Sequence, residues 1–166
     1  MFDDFILPDL ILLEHFGGDW INFYDFVYTC FREDFVKNPV RQFGGKRVGL
    51  KRLPLSDDNK EATFYHMTHE GKDEQNRQPD IRRMERIRWI KYMMVNFESN
   101  QLKVWRNKRG TSENILIYHE EEAYLLVLAD RGDYILPWTA YPIEYSNQRQ
   151  KLLREYEAYK KAEAAK

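Results

Sequence analysis

The chain has 166 residues with a formal net charge of −1, and 43% of the residues are hydrophobic. This length and apolar content suit a single domain with a real core and exclude an intrinsically disordered chain. A single cysteine, Cys30, excludes a framework of internal disulfides, and the absence of a long apolar run predicts no membrane span. We therefore expect a cytoplasmic protein.

Charge is distributed unevenly along the sequence. Residues 1–35 hold eight acids and one base, residues 36–112 hold eighteen bases and nine acids, and residues 113–166 hold ten acids and seven bases. A basic middle between acidic ends predicts a local positive surface suited to phosphate. The alternative is that the acidic N-terminus packs beside the basic middle. We divide the chain into an acidic segment, 1–18, and a single α+β domain, 19–163.

The first part of the chain predicts short elements. A short helix is expected from Pro8 to Leu13, and a second over residues 20–37, capped by Asp19. Alternating patterns predict strands at 47–53 and 62–68. The polar residues that follow, up to Gln78, predict a loop.

The stretch from Pro79 to Phe97 predicts an amphipathic helix. Its apolar stripe recurs at steps of three and four residues: Ile81, Met84, Ile87, Ile90, Met94 and Phe97. Its other face concentrates arginines: Arg82, Arg83, Arg86 and Arg88. Such a face predicts either a polyanionic partner or carboxylates elsewhere in the fold.

After Asn100 the hydrophobic period changes to that of strands. Four strands with tight turns between them are expected at 102–106, 114–119, 124–129 and 134–141. The third is apolar on both faces, which predicts a central position. A closing helix is expected over 147–163. The predicted class is α+β, with N-terminal helices and a central helix packed on a four-stranded antiparallel meander, and with a C-terminal helix.

Two histidines, His66 and His69, stand three residues apart. A metal site needs a third ligand, and positions three apart on the predicted strand face opposite sides. We predict no metal and no cofactor. A hydrogen-bonded pair of surface histidines and an acid–base role for His66 both remain open.

A second group of candidates combines hydroxyls with arginines. Thr139 and Tyr141 project to the same side of the last predicted strand, where they could hold a phosphate, although both residue types simply favour strands. Arg82, Glu85 and Arg86 lie along adjoining lines of the predicted helix. Arginine forks match phosphate oxygens, while salt bridging within the helix and a solvated basic face are the alternatives.

These pieces, taken in order, resemble a known family. The resemblance rests on Phe64-Tyr65-His66, Arg82 to Ile90, Val104-Trp105, the Tyr124–Leu128 strand, Thr139-Ala140-Tyr141-Pro142, and Lys151 to Tyr156. The family comprises phage- and mobile-element-associated bacterial proteins assigned to the barnase/EndoU/colicin/RelE-like superfamily of metal-independent nucleases. The similarity spans residues 20–160 and implies a four-stranded antiparallel core sheet preceded by helices.

The resemblance implies a toxin-like endoribonuclease that cleaves RNA by attack of a ribose 2′-hydroxyl on its own phosphodiester. This chemistry needs a base, positive charge at the phosphate and an acid for the leaving oxygen. The implied catalytic residues are His66, Glu85, Arg86, Thr139 and Tyr141, and the implied phosphate or RNA contacts are Arg82, Arg83, Arg88 and Lys72.

The expected partners are RNA and an immunity or antitoxin protein, with no membrane. The alternative functions are a non-catalytic nucleic-acid-binding module and a protein-interaction module. The charge pattern adds one more hypothesis, that the acidic N-terminal helices cover the arginines as an internal antitoxin would.

Overall fold

A computed structural model describes residues 4–166. The elements up to residue 95 are mostly helices, and long antiparallel strands follow them. The helices are α1, Trp20–Arg32; α2, Ala62–Thr68; α3, Ile81–Glu85; α4, Trp89–Val95; and α5, Ser146–Ala164. The strands are β1, Gln42–Phe43; β2, Lys46–Val48; β3, His69–Glu70; β4, Gln78–Pro79; β5, Leu102–Arg109; β6, Ser112–His119; β7, Tyr124–Asp130; and β8, Tyr134–Pro142. A 3-10 turn, Leu13–Phe16, precedes α1, and a π-helical turn, Glu33–Lys37, extends it.

The main sheet has six strands in the order β1-β2-β8-β7-β6-β5. The predicted antiparallel meander forms its larger part, β5 to β8, and β7 lies inside the sheet as its apolar sequence predicted. The sheet is mixed because β2 pairs in parallel with β8, at Tyr134 and Ile135. The α+β class is therefore confirmed, while the expected sheet of four strands is extended by a hairpin at its β8 side.

Both faces of the sheet are covered, which explains why β6 and β7 are apolar on both sides. Ile117 and Leu126 belong to a core shared with α1, α2, α3 and α4, whereas Leu116 and Leu125 belong to a second cluster under α5. Neighbouring residues thus enter different cores, as the two-residue period of a strand requires.

The strand predicted at 62–68 is wrong, because these residues form helix α2. The aromatic and β-branched composition of the segment favours a strand, but six of its seven residues are buried, so no amphipathic period reveals the helix. The strand predicted at 47–53 is also shorter than expected. It ends at Val48, since the carbonyls of Lys51 and Arg52 accept hydrogen bonds from the first turn of α2 instead of a strand.

The single helix predicted over 79–97 is divided into α3 and α4. Arg86 leaves helical geometry with φ −110° and ψ 15°, and the amide of Trp89 donates to its carbonyl at 2.9 Å across a tight turn. The start is as predicted, since the Asp80 carboxylate accepts the amides of Arg82 and Arg83. The helix predicted from Pro8 to Leu13 is also wrong. A 3-10 turn follows at Leu13–Phe16 instead, and Gly17 ends this turn with a positive φ of 63°.

Candidate functional site

The feature that organises the candidate site is the outer edge of β8. Because β2 pairs only with the first residues of β8, helices α2 and α3 lie along the remainder of the strand. The last turn of α2 and the middle of α3 therefore meet Thr139 and Tyr141. This is where three separate parts of the sequence come together.

Arg83 links these three parts. Its Nη1 atom lies within hydrogen-bonding distance of the His69 carbonyl at 3.0 Å, the Thr139 hydroxyl at 3.2 Å and the His66 carbonyl at 3.4 Å. Its guanidinium carbon lies 5.1 Å from the centre of the Tyr141 ring. The side chain is only 13% exposed, and Asp80 receives its Nε hydrogen at 3.0 Å. A delocalised cation is thus fixed beside two hydroxyl-bearing side chains.

His66 lies against the same edge of the sheet. Its residue is 3% exposed, its Nε2 is 2.5 Å from Glu74 Oε1, and its ring stands edge-on to Trp138 at 4.8 Å. Burial lowers the pKa of His66 by disfavouring the imidazolium, although the Glu74 carboxylate acts in the opposite direction. The result is a histidine oriented by a carboxylate, an arrangement that suits a general base.

Thr139 and Tyr141 open onto a pocket on the α5 side of the sheet. The strand pairing of β7 with β8 is irregular beside Val127 and Leu128, where Trp138 falls outside the paired register. The pocket has a volume of about 300 Å³. It is lined by Asn107, Arg109, Ser112, Asn114, Leu116, Leu125, Val127, Ala129, Arg131, Trp138, Thr139, Tyr141 and Leu152. The apolar floor, one half-buried indole and polar rim suit a planar ring with polar edges.

Three basic residues around this pocket were not predicted. The Arg131 guanidinium lies 5.4 Å and the Lys51 ammonium 5.8 Å from the Trp138 ring centre, while Arg109 lies at the pocket rim. Among residues 4–166, the side chains of Arg109 and Arg131 form no ion pair, and neither does Lys51. They lie in a turn, a strand end and a loop, so no sequence period groups them, and only the sheet topology brings them together.

The other arginines of the predicted basic face lie outside this site. Arg82 pairs with Glu144, Arg86 with Glu85 at 3.2 Å, and Arg88 approaches Asp34 at 3.8 Å. The break between α3 and α4 turns Arg86 away from β8 and places its guanidinium 5.3 Å from the Trp89 ring. A single helix packed on the meander would aim Arg82 and Arg86 at Thr139 and Tyr141, but in the structure Arg83 takes that position.

Glu85 and Lys72 are also outside the cluster. The Glu85 carboxylate contacts Arg86, and its carbonyl accepts the Ile11 amide at 3.0 Å. Lys72 is exposed in the loop between β3 and β4 and forms no ion pair within the described part of the chain. Of the predicted catalytic residues, Thr139 and Tyr141 meet at Arg83 together with the backbone carbonyl of His66, whose ring faces Glu74 and Trp138.

Among the described acidic residues of the N-terminal part, the contact with an arginine of the predicted basic face comes from the π-helical turn that extends α1. Asp34 is the acid in this contact, and its burial raises the pKa of its carboxyl. Residues 4–18 instead pack on α3 and α4, where the Trp89 indole donates to the Pro8 carbonyl at 2.7 Å and Ile11 is buried. Within this described segment no carboxylate pairs with an arginine of α3.

His66 lies in the last turn of α2 and His69 begins β3, and the two rings face different groups. His69 lies 2.9 Å from the Thr68 hydroxyl and 4.4 Å from the Tyr65 ring centre. Across residues 4–166, no three His, Cys, Asp or Glu side chains are grouped as a metal site requires. None of the described helices is both long enough and apolar enough to cross a membrane.

Comparisons with protein families, with curated proteins and with solved structures find no match for the chain.

Proposed function

We propose that this protein is a metal-independent endoribonuclease that acts where α2 and α3 meet β8. The observation that carries the proposal is the position of Arg83. One largely buried guanidinium contacts the Thr139 hydroxyl and the Tyr141 ring, and it also contacts the backbone of His66. Positive charge, hydroxyls and a titratable imidazole are the groups that phosphodiester transfer requires.

In the proposed reaction, His66 accepts the proton of the ribose 2′-hydroxyl. The 2′-oxygen attacks the adjacent phosphorus, the bond to the 5′-oxygen breaks, and the products are a 2′,3′-cyclic phosphate and a 5′-hydroxyl. Arg83 stabilises the negative charge that grows on the phosphoryl oxygens, and Thr139 orients them. The Tyr141 hydroxyl, which forms no hydrogen bond with the described residues, supplies the proton to the leaving 5′-oxygen.

The pocket beside Trp138 supplies the RNA-binding part of the proposal. An indole face stacks on a nucleobase, a contact worth about 1–3 kcal/mol per base. Arg109, Arg131 and Lys51 lie around this indole and pocket without intramolecular ion pairs in residues 4–166, so they can bind phosphates. Arg82, Arg86 and Arg88, whose guanidinium groups face carboxylates outside this site, do not contribute in this scheme.

A second candidate is an RNA-binding protein without catalysis. The observation that favours it is the 3% exposure of His66, whose Nε2 is already bound to Glu74. Because Nε2 donates its hydrogen to the Glu74 carboxylate, the accepting nitrogen is Nδ1, and catalysis requires a movement that lets the 2′-hydroxyl reach this buried ring. Binding at the Trp138 pocket requires no such movement.

The test is cleavage of end-labelled RNA in EDTA at pH 7. We expect products ending in 2′,3′-cyclic phosphate, a loss of about 10²–10⁴-fold in rate for His66→Gln, and a clear loss for Thr139→Val. Arg82→Gln is the matched control because Arg82 is exposed and paired with Glu144, away from Thr139. Retained, salt-sensitive RNA binding with no product in the wild type would reject catalysis and leave the binding function.

A further inference from the structure

A second and larger cavity lies on the other side of the loop that carries Glu74. It has a volume of about 820 Å³ and lies between the start of α1, the segment 54–58 and the segment 74–79. We call it the Trp20 groove. Trp20, Tyr24 and Tyr65 form its aromatic wall, and Trp20 is 39% exposed and stacked on Tyr24 at 6.2 Å.

The rim of the Trp20 groove carries more acids than bases. Asp57, Asp58 and Glu74 line it against a single Arg77. Asp58 accepts the Tyr24 hydroxyl at 2.9 Å and pairs with Lys60 at 3.1 Å, and Glu74 is bound by His66 and lies 3.6 Å from Arg77. Asp57 is exposed, forms no ion pair with a described residue and is therefore the acid left free at the rim. Carboxylates beside aromatic faces attract cations and repel phosphates.

His69 adds a neutral acceptor to the groove. It is 7% exposed and lines the cavity. The Thr68 hydroxyl donates to the Phe64 carbonyl at 2.8 Å, so its oxygen accepts the Nδ1 hydrogen of His69. In this tautomer Nε2 carries the lone pair of the ring. Because burial lowers the pKa of His69 to about 4, the ring is neutral at pH 7 and adds no positive charge.

The chain itself shows that this aromatic cluster accepts a cation. The Lys60 ammonium lies 5.3 Å from the Tyr24 ring centre and 4.7 Å from that of Tyr28. The groove offers a further aromatic surface in the 39% exposed Trp20, together with the free Asp57 carboxylate and the Nε2 acceptor of His69. A cationic group with several N–H donors and an apolar stem satisfies all three.

We propose that the Trp20 groove is a docking site for an arginine or lysine side chain presented by a basic segment of a partner protein. The side-chain stem lies against Leu55, its charged end meets Asp57, and its donors reach His69. Of the groove residues only Glu74 also belongs to the proposed ribonuclease site, and Trp20, Asp57 and His69 do not, so a protein that fails to cleave RNA leaves the docking proposal intact.

The experiment titrates the full chain with a blocked pentapeptide that has one central arginine between glycines. The Trp20 indole N–H resonance, assigned with Trp20→Phe, reports binding. Matched peptides with citrulline or glutamate in place of arginine test the requirement for charge. We expect the arginine peptide alone to shift the Trp20 resonance, and Asp57→Asn to weaken binding about fivefold, as expected for one exposed ion pair.

Asp25→Asn is the control, because Asp25 is exposed on α1 and does not line the groove. It should bind the arginine peptide as the wild type does. The proposal is overturned if the arginine peptide produces no shift, if citrulline acts equally, or if Asp57→Asn and Asp25→Asn behave alike. A shift produced by hexauridylate but not by the arginine peptide would assign the groove to RNA instead.

Discussion

Two neighbouring arginines on α3 should contribute very differently to stability. Arg83 is 13% exposed and bonded to Asp80, to two carbonyls and to Thr139, whereas Arg82 is 44% exposed and paired with the half-exposed Glu144. Replacing either with methionine removes one positive charge and leaves a long apolar side chain. Any difference between the two variants therefore reports the contacts and not the net charge.

The magnitude follows from the groups that each substitution leaves behind. Arg83→Met leaves a partly buried carboxylate and two carbonyls without their donor, and breaking such a buried pair costs about 3–5 kcal/mol. Arg82→Met breaks an exposed pair, which contributes about 0–1 kcal/mol. For a chain of 166 residues, 3 kcal/mol corresponds to a fall in Tm of roughly 6–12 °C.

Urea unfolding followed by fluorescence, together with thermal scans, measures both variants. Unchanged m-values would show that unfolding exposes the same surface area in both variants and in the wild type. Equal losses for Arg82→Met and Arg83→Met, or a loss below about 1 kcal/mol for Arg83→Met, would refute the view that Arg83 holds α2, α3 and β8 together.

Two further predictions concern buried polar groups. Burial lowers the pKa of His69 to about 4. Between this pH and about 6.5 the unfolded chain binds a proton that the folded chain does not. The free energy of unfolding should therefore be highest above pH 6.5 and fall by about 3 kcal/mol as the pH drops to 4. Urea unfolding across this range should show a flatter profile for His69→Gln, while the exposed His15→Gln should retain the wild-type slope. The Tyr124 hydroxyl is buried without a partner in residues 4–166, so Tyr124→Phe should leave the free energy of unfolding unchanged or raise it by about 1 kcal/mol. Tyr28→Phe, which loses a hydrogen bond to Glu61, should instead lower it, and a larger loss in Tyr124→Phe would contradict the reasoning.

The meander was predictable because its information is local. Each strand from β5 to β8 is marked by a local alternation or a short apolar run and ends at a short turn, and those turns also set the antiparallel order. The addition of β1 and β2 was not predictable from such local signals. These strands have two and three residues, and β2 reaches β8 across most of the chain.

The candidate site was predictable in its residue types more than in its geometry. His66, Thr139 and Tyr141 were selected from the sequence and lie along one edge of the sheet, but the sequence did not indicate that Arg83, of all the arginines, contacts Thr139 there. No glycine or proline marks the break after Arg86. The break leaves the Ile87 side chain buried and brings the Trp89 indole to the Pro8 carbonyl, so tertiary packing determines which arginine faces β8.

The short pairing between β2 and β8 bears on solubility as well as on the site. Beyond Ile135, the outer edge of β8 is sheltered by α2 and α3 and not by another strand. Exposed strand edges recruit other chains, and Pro137 and Pro142, which lack an amide hydrogen, weaken this one as a template. The contact between Arg83 and Thr139 therefore also restrains self-association, because detachment of α2 would uncover an apolar strand before the sheet itself unfolds.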